Sequence, residues 1–274
     1  MAHSAIVLCG GLSSRMGRPK ALLPWRGRTL VEHVVATLRT VVDDVVVVTS
    51  SELDLPRLDA VVVRDREPKL GPLSGLRDGL AAASNDLAFA TATDAPFLSA
   101  GFVRTMLGFG RAAAPVVEGF VQPLSAVYPR ALTTTADALI AAGRMRLLHL
   151  LEAADFRSVA ADELPEVEST RNLNTPDEYL GAVRRDDPGA RAQVELFGLM
   201  RTTSGAATID VDAGTLGEIL DRVQSDFPML RLRAAGEVAK NILVSLNGQA
   251  FVRDASLPVG AGDCILLMDA AVGG

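Results

Sequence analysis

The sequence predicts an α/β protein, a mostly parallel sheet with helices on both faces, followed by a small α+β domain. Three observations predict it. Short β-branched runs alternate with helical patterns over residues 4–183, the order that builds a parallel sheet. A charged stretch with a Pro-Gly break, Arg184 to Arg191, then interrupts the pattern. Beyond it the order becomes strand, strand, helix, hairpin, strand.

Each element has a local reason. Ile6, Val7 and Leu8 form a short apolar run suited to a buried parallel strand. Thr29 and Glu32 fit a capping box that starts a helix through Arg39. Val45 to Val48 and Val61 to Val63 are β-branched and read as buried strands. Gly71-Pro72-Leu73-Ser74-Gly75 opens a helix to Ala83, and Leu87 to Ala90 is the next strand, ending at Asp94. Val116 to Val127 reads as a hairpin at one sheet edge, with helical patterns at 131–142 and 146–153. Thr175-Pro176 pairs an N-cap with proline at the first helical position, launching a helix to Val183.

After the break, Val194 to Met200 and Thr208 to Val211 read as strands with a turn at 202–206. Thr215 and Glu218 form a second capping box, for a helix to Asp226. Asn247-Gly248 between Leu243–Leu246 and Gln249–Val252 signals a hairpin, and Ile265 to Met268 is the last strand. The expected division is residues 1–185, a linker at 186–191, and 192–274.

Composition narrows the function. A net charge of −6 argues against an electrostatic footprint for a nucleic acid polymer. Cys9 and Cys264 lie far apart without zinc or redox spacing, so both read as buried structural thiols. The first residues, MAHSAIVLC, lack a signal peptide's basic start and long apolar run. No stretch approaches the roughly 18 apolar residues of a membrane span. A cytoplasmic protein without membrane association is expected. His3, His33 and His149 are scattered, and no Ser/His/Asp triad is evident.

The chemistry concentrates after the first strand, in Gly10-Gly11, Arg15, Gly17 and Lys20. Glycines let backbone N–H groups approach an anion, Arg15 can fork onto phosphate oxygens, and Lys20 supplies a point charge. The spacing matches neither the P-loop ending G-K-[ST] nor G-x-G-x-x-G. Asp94, at the end of a predicted central strand, emerges where α/β proteins bind ligands and suits a divalent metal. A cap on the following helix is its alternative role.

L-C-G-G-L-S-S-R-M-G-R-P-K, residues 8–20, closely resembles the L-A-G-G-x-S-x-R-M-G-x-x-K signature of molybdenum cofactor guanylyltransferases. Cys9 replaces the usual alanine. The resemblance implies a Rossmann-like nucleotidyltransferase domain that uses GTP and Mg²⁺ and acts on molybdopterin. It implies nucleotide contacts from Leu8, Cys9, Gly10, Gly11, Lys20, Asp65, Gly71, Gly75 and Asp94, with catalytic roles for Arg15, Lys20 and Asp94 and the metal on Asp94. Gly10-Gly11 and G-P-L-S-G look like guanylyl rather than cytidylyl enzymes. Gln122-Pro123-Leu124 and Asn172-Leu173-Asn174-Thr175-Pro176 echo further family motifs near the acceptor or metal, although Asn174 reads equally as a turn residue.

The strand–strand–helix–hairpin–strand order after residue 191 is the ubiquitin-like β-grasp pattern. V-E-L-F-G-L-M-R, from Val194, and L-P-V-G-A-G-D, from Leu257, resemble the small subunit of molybdopterin synthase, a sulfur carrier. That resemblance implies a Gly274 thiocarboxylate, made by an ATP-dependent activating enzyme and used with the synthase large subunit. Terminal Gly273-Gly274 suits threading into a narrow partner channel. Two other readings remain open: a cytidylyl or sugar-phosphate nucleotidyltransferase with a scaffold tail, or a carrier with an inactive docking domain.

Overall fold

The computed structural model describes residues 2–10, 16–50, 53–67 and 70–270. Contacts divide these into two compact units. The first takes residues 2–10, Pro19–Leu22 and Leu30–Leu173; the second takes 16–18, Leu23–Thr29 and 174–270.

In the first unit the elements are β1 (Ser4–Cys9), α1 (Leu30–Arg39), β2 (Asp44–Thr49), β3 (Val61–Arg64), α2 (Pro72–Ala82), β4 (Leu87–Ala92) and α3 (Ala100–Gly108). They continue with β5 (Ala113–Val117), β6 (Phe120–Val121), β7 (Ser125–Pro129), α4 (Thr133–Ala141), α5 (Leu147–Ala153) and β8 (Arg157–Ala160). Among the described residues they form an eight-stranded sheet in the order β8-β5-β7-β4-β1-β2-β3, with β6 paired to β5. The sheet is mixed and mostly parallel. β1 sits parallel between β2 and β4, and all six of its residues are buried. Ala5, Val7 and Cys9 enter one apolar cluster while Ile6 and Leu8 enter the other. A strand covered on both faces needs that continuous apolar run.

The helices follow their period. α1 buries Val31, Val34, Val35 and Leu38, spacings of three and four that keep one stripe on the sheet. α2 buries Leu73, Leu76 and Leu80 and lies so close to β1 that a Cβ on Gly79 would stand 2.5 Å from Ile6 Cγ2.

Two expectations change here. β3 is an edge strand with Val61 and Val62 exposed, because one of its sides has no neighbour to cover it. The segment 116–127 is not one edge hairpin. β5 and β6 do turn tightly through Glu118 and Gly119, both at positive φ. Pro123 has no N–H for a ladder, and the chain leaves at 122–124 to place β7 antiparallel inside the sheet, between β4 and β5.

The second unit contains α6 (Pro176–Asp186), β9 (Arg191–Leu196), α7 (Leu199–Ser204), β10 (Thr208–Asp212), α8 (Leu216–Asp226), β11 (Ile242–Leu246), β12 (Ala250–Phe251) and β13 (Cys264–Asp269). Its five-stranded sheet runs β10-β9-β13-β11-β12, with β9 and β13 parallel and the other pairs antiparallel. First and last strands side by side at the centre, with α8 packed over them, make the β-grasp topology. Thr175 and Thr215 both form complete capping boxes, with Glu178 and Glu218. Asn247 and Gly248 take φ of 56° and 68°, the left-handed pair of a type I′ turn, and Gln249 N–H donates to Leu246 O at 3.0 Å.

The strand expected at 194–200 ends at Leu196. Gly198, at φ 58°, turns the chain into α7, which Gly205 closes at φ 71°. Half of the 184–191 stretch lies in regular elements, since α6 continues to Asp186 and β9 begins at Arg191.

Candidate active site

Parallel strands bring their C-terminal ends to one edge of the sheet, and that edge collects the predicted residues of the first unit. β1 ends at Leu8 and Cys9, followed by Gly10, which is exposed, with no described residue within 4 Å of where a Cβ would be. Next to it β4 ends and Thr93 N–H donates to Leu8 O at 3.3 Å. Asp94 follows directly. Lys20 opens a short 3₁₀ turn, Lys20–Leu22, and donates from Nζ to Asp94 Oδ2 at 2.6 Å. The two side chains are 19% and 14% exposed.

The other Asp94 oxygen, Oδ1, is buried and has no hydrogen-bond partner among the described residues. A buried carboxylate oxygen normally finds a donor, so this lone pair is open to a group beyond the described residues. Asp94 does not cap α3; Ser99 does, accepting from Phe102 N–H at 3.1 Å. Among the described residues no group of three or more His, Cys, Asp or Glu side chains could hold a metal ion. A cation on Asp94 would therefore complete its shell with phosphate oxygens and water, as Mg²⁺ does.

Two further supports reach this corner. His33 Nε2 lies 2.9 Å from Pro96 O, bracing the turn after Asp94. Leu173 N–H donates to Asp94 O at 2.9 Å, which ties the Asn172-Leu173 motif to the end of β4. The neighbouring Asn172 has a buried amide oxygen with no partner among the described residues. Asn174 gives its backbone N–H to Glu178 Oε2 at 2.6 Å, within the cap of α6.

Asp65 stands farther along the same edge, after β3. Its N–H donates to Thr49 O, and its Oδ1 accepts from Ser74 Oγ and Glu67 N–H, each at 2.8 Å. Gly75 connects it to β1. A Cβ there would lie 3.4 Å from Leu8 Cδ2 and 3.6 Å from Asp65 Oδ2, an ordinary fit. Gly71 is the N-cap of α2 at φ 83°, which requires glycine, and has open space beside it. Lys20, Asp94, Leu8, Gly10, Gly75 and Asp65 thus share one sheet edge. Gly11 and Arg15 lie outside the described residues, as does Gly274 in the second unit.

Residues 5–157 match the family described as the MobA-like NTP transferase domain. The chain belongs to that family. It is 37% identical over 188 residues to a probable molybdenum cofactor guanylyltransferase of Mycobacterium tuberculosis, covering 63% of this chain and 92% of that one. A molybdopterin-guanine dinucleotide biosynthesis protein A from Archaeoglobus fulgidus has a similar fold, with 23% identity and a TM-score of 0.59 over 68% of this chain and 99% of that chain. SAMP1 from Haloferax volcanii aligns with 31% of this chain and 99% of its own at 28% identity, with a TM-score of 0.28. The β-grasp assignment of the second unit rests on its strand order.

In this nucleotidyltransferase the sequence motif alone did not reveal several supporting residues. Ser74 anchors Asp65, and Asp78 holds the residue after it, accepting from Arg66 N–H at 2.9 Å and Arg66 Nε at 2.8 Å. Arg77 lies beside them, buried, donating to Asp78 and Glu67. A buried Arg-Asp pair inside a helical motif was the available signal. Cys9 is buried as expected, and burial pushes its thiol up to about 12. Cys264 is only half-buried, a correction to its expected place in the interior. Among the described residues no helix is long and apolar enough to cross a membrane.

Proposed function

We propose that this chain transfers GMP from GTP to the terminal phosphate of molybdopterin, with or without molybdenum, and releases pyrophosphate. The observation that carries the reading is the Lys20–Asp94 pair at the sheet edge, with one Asp94 oxygen buried and unpartnered among the described residues. Family membership and the relatives' guanylyltransferase names support the choice of chemistry.

An acceptor phosphate oxygen attacks the α-phosphorus of GTP, and the bond from that phosphorus to the bridging oxygen breaks. The electron pair leaves with pyrophosphate. Lys20 steadies the triphosphate charge, and Gly10 leaves room for the phosphate to approach the backbone. Arg15 and Gly11 complete the cradle in this reading. Asp65, Gly71 and Gly75 lie on the nucleoside side of the site. Asp94 would hold Mg²⁺, which supplies charge neutralisation on the phosphates. Positioning and electrostatics carry the reaction, with no covalent enzyme intermediate.

The second domain acts in the same pathway. Gly274 carries sulfur as a thiocarboxylate, formed by an ATP-dependent activating enzyme and spent with the molybdopterin synthase large subunit. The β-grasp topology supports this. The protein would work in the cytoplasm without nucleic acid or membrane partners.

Incubation of the full chain with GTP, Mg²⁺ and molybdopterin should give a guanine dinucleotide of the pterin, detected by mass spectrometry. Deleting Gly274 should abolish sulfur delivery and leave that product unchanged. Failure to form the dinucleotide with a competent acceptor would overturn the first assignment. Sulfur delivery that survives the deletion would overturn the second.

A further inference from the structure

Arg18 stands two residues before Lys20, at a position between Gly17 and Lys20 where the guanylyltransferase signature specifies no residue. In the structure its side chain is mostly buried, in the second unit. Its Nη1 lies 2.6 Å from Asp263 Oδ2 and its Nη2 3.3 Å from Asp263 Oδ1, a two-pronged pair with side-chain exposures of 12% and 3%. Asp263 also accepts from Asn247 Nδ2 at 2.8 Å and from Gly260 N–H at 2.9 Å. Both of its oxygens are therefore engaged from several directions.

The neighbouring residues are held as closely. Gly17 has φ 64°, and a Cβ there would fall 2.6 Å from Leu257 Cδ1, nearer than carbon atoms pack. Tyr179 donates to Pro24 O at 2.5 Å, and a side chain on Gly260 would collide with the Tyr179 hydroxyl. Loop 254–263, just before the last β-grasp strand, thus grips residues 17, 18 and 24 on either side of Lys20.

We propose that Asp263 is a positioning residue for nucleotidyl transfer: by clamping Arg18, the loop before β13 fixes the segment that presents Lys20 to the triphosphate. A buried ion pair can serve stability alone, and the clamp differs from that in being local and in reaching the reaction.

Two measurements on the full chain decide it. In nucleotide-free protein, Asp263→Asn should speed hydrogen exchange at residues 16–20 by about tenfold or more, with β4 unchanged. Arg18→Met, which keeps the stem and leaves Asp263 its Asn247 and Gly260 partners, should do the same. Unchanged exchange at 16–20 in a folded variant overturns the proposal. The kinetic arm rests on the GTP reading. Asp263→Asn should lower kcat/KM for GTP about tenfold to a hundredfold well below its melting temperature. Leu220→Ala, which removes core volume from the second unit, should lower the melting temperature and spare kcat/KM. Equal losses in both variants would reduce the effect to stability and overturn the proposal. A wild type that forms no guanylyl product would instead sink the GTP reading, and the exchange result would still decide whether Asp263 holds the segment.

Discussion

Two aspartates each bind a cation from residues 16–20, and the protein treats them differently. Asp263, in the second unit, is 3% exposed and accepts from Arg18, Asn247 and Gly260. Asp94, at the sheet edge of the first unit, is 14% exposed, binds Lys20 with one oxygen and keeps the other buried without a partner among the described residues. Both ion pairs have the same 2.6 Å shortest distance. The difference lies in the remaining lone pairs. A saturated carboxylate holds structure, because every desolvated acceptor is repaid by a donor. An unsaturated one carries an unmet demand that a substrate or cation can satisfy. Counting partners separates the two roles where distance does not.

The largest effect should come from the unsaturated site. Asp94→Asn and Lys20→Ala should each lower guanylyl transfer by about a hundredfold to a thousandfold or more, while the melting temperature changes little. Wild-type rates in either variant would break the contrast and remove the pair from the mechanism.

Asp78 sharpens it, as a second saturated carboxylate inside the first unit. It accepts from Arg66 and Arg77, and its side chain is 2% exposed. Asp78→Ala should cost roughly 1.5–3 kcal/mol in urea unfolding. Burial raises the Asp78 pKa, but the hydrogen bonds from Arg66 and Arg77 outweigh it, so the carboxyl lies below its ordinary 3.8. A carboxyl depressed in the folded state contributes fully above the ordinary value and loses that contribution as pH falls through the folded one. The gap between wild type and variant should therefore hold from neutral pH to about pH 4 and close only in stronger acid. A gap that closes near pH 6 would contradict the assignment.

The smallest effect concerns the thiols. With its pKa pushed up to about 12, buried Cys9 should resist iodoacetamide at pH 8 in the folded chain and react once urea is added. Half-buried Cys264 should react faster than Cys9. Equal rates in the native protein would place Cys9 nearer solvent than the structure does.

What the sequence disclosed follows from the range of each interaction. β1, the caps at Thr175 and Thr215, and the Asn247-Gly248 turn were legible because a few adjacent residues determine each of them. Lys20 and Asp94 were legible as separate signals, a basic residue after a glycine loop and a carboxylate after a strand. That they meet follows from β1 and β4 pairing in parallel. The Arg18–Asp263 clamp was not legible, since 245 residues separate its partners. The exposed β3 and the internal β7 were missed for a related reason. Strand order decides which β-branched run is covered, and local sequence does not encode that order.

The most direct test of the central claim is pyrophosphate release by the full chain with Mg²⁺ and molybdopterin, comparing GTP, CTP and ATP. The account predicts release with GTP alone, lost in Asp94→Asn. Release with CTP in preference to GTP, or no release from any of the three despite a competent acceptor, would contradict it.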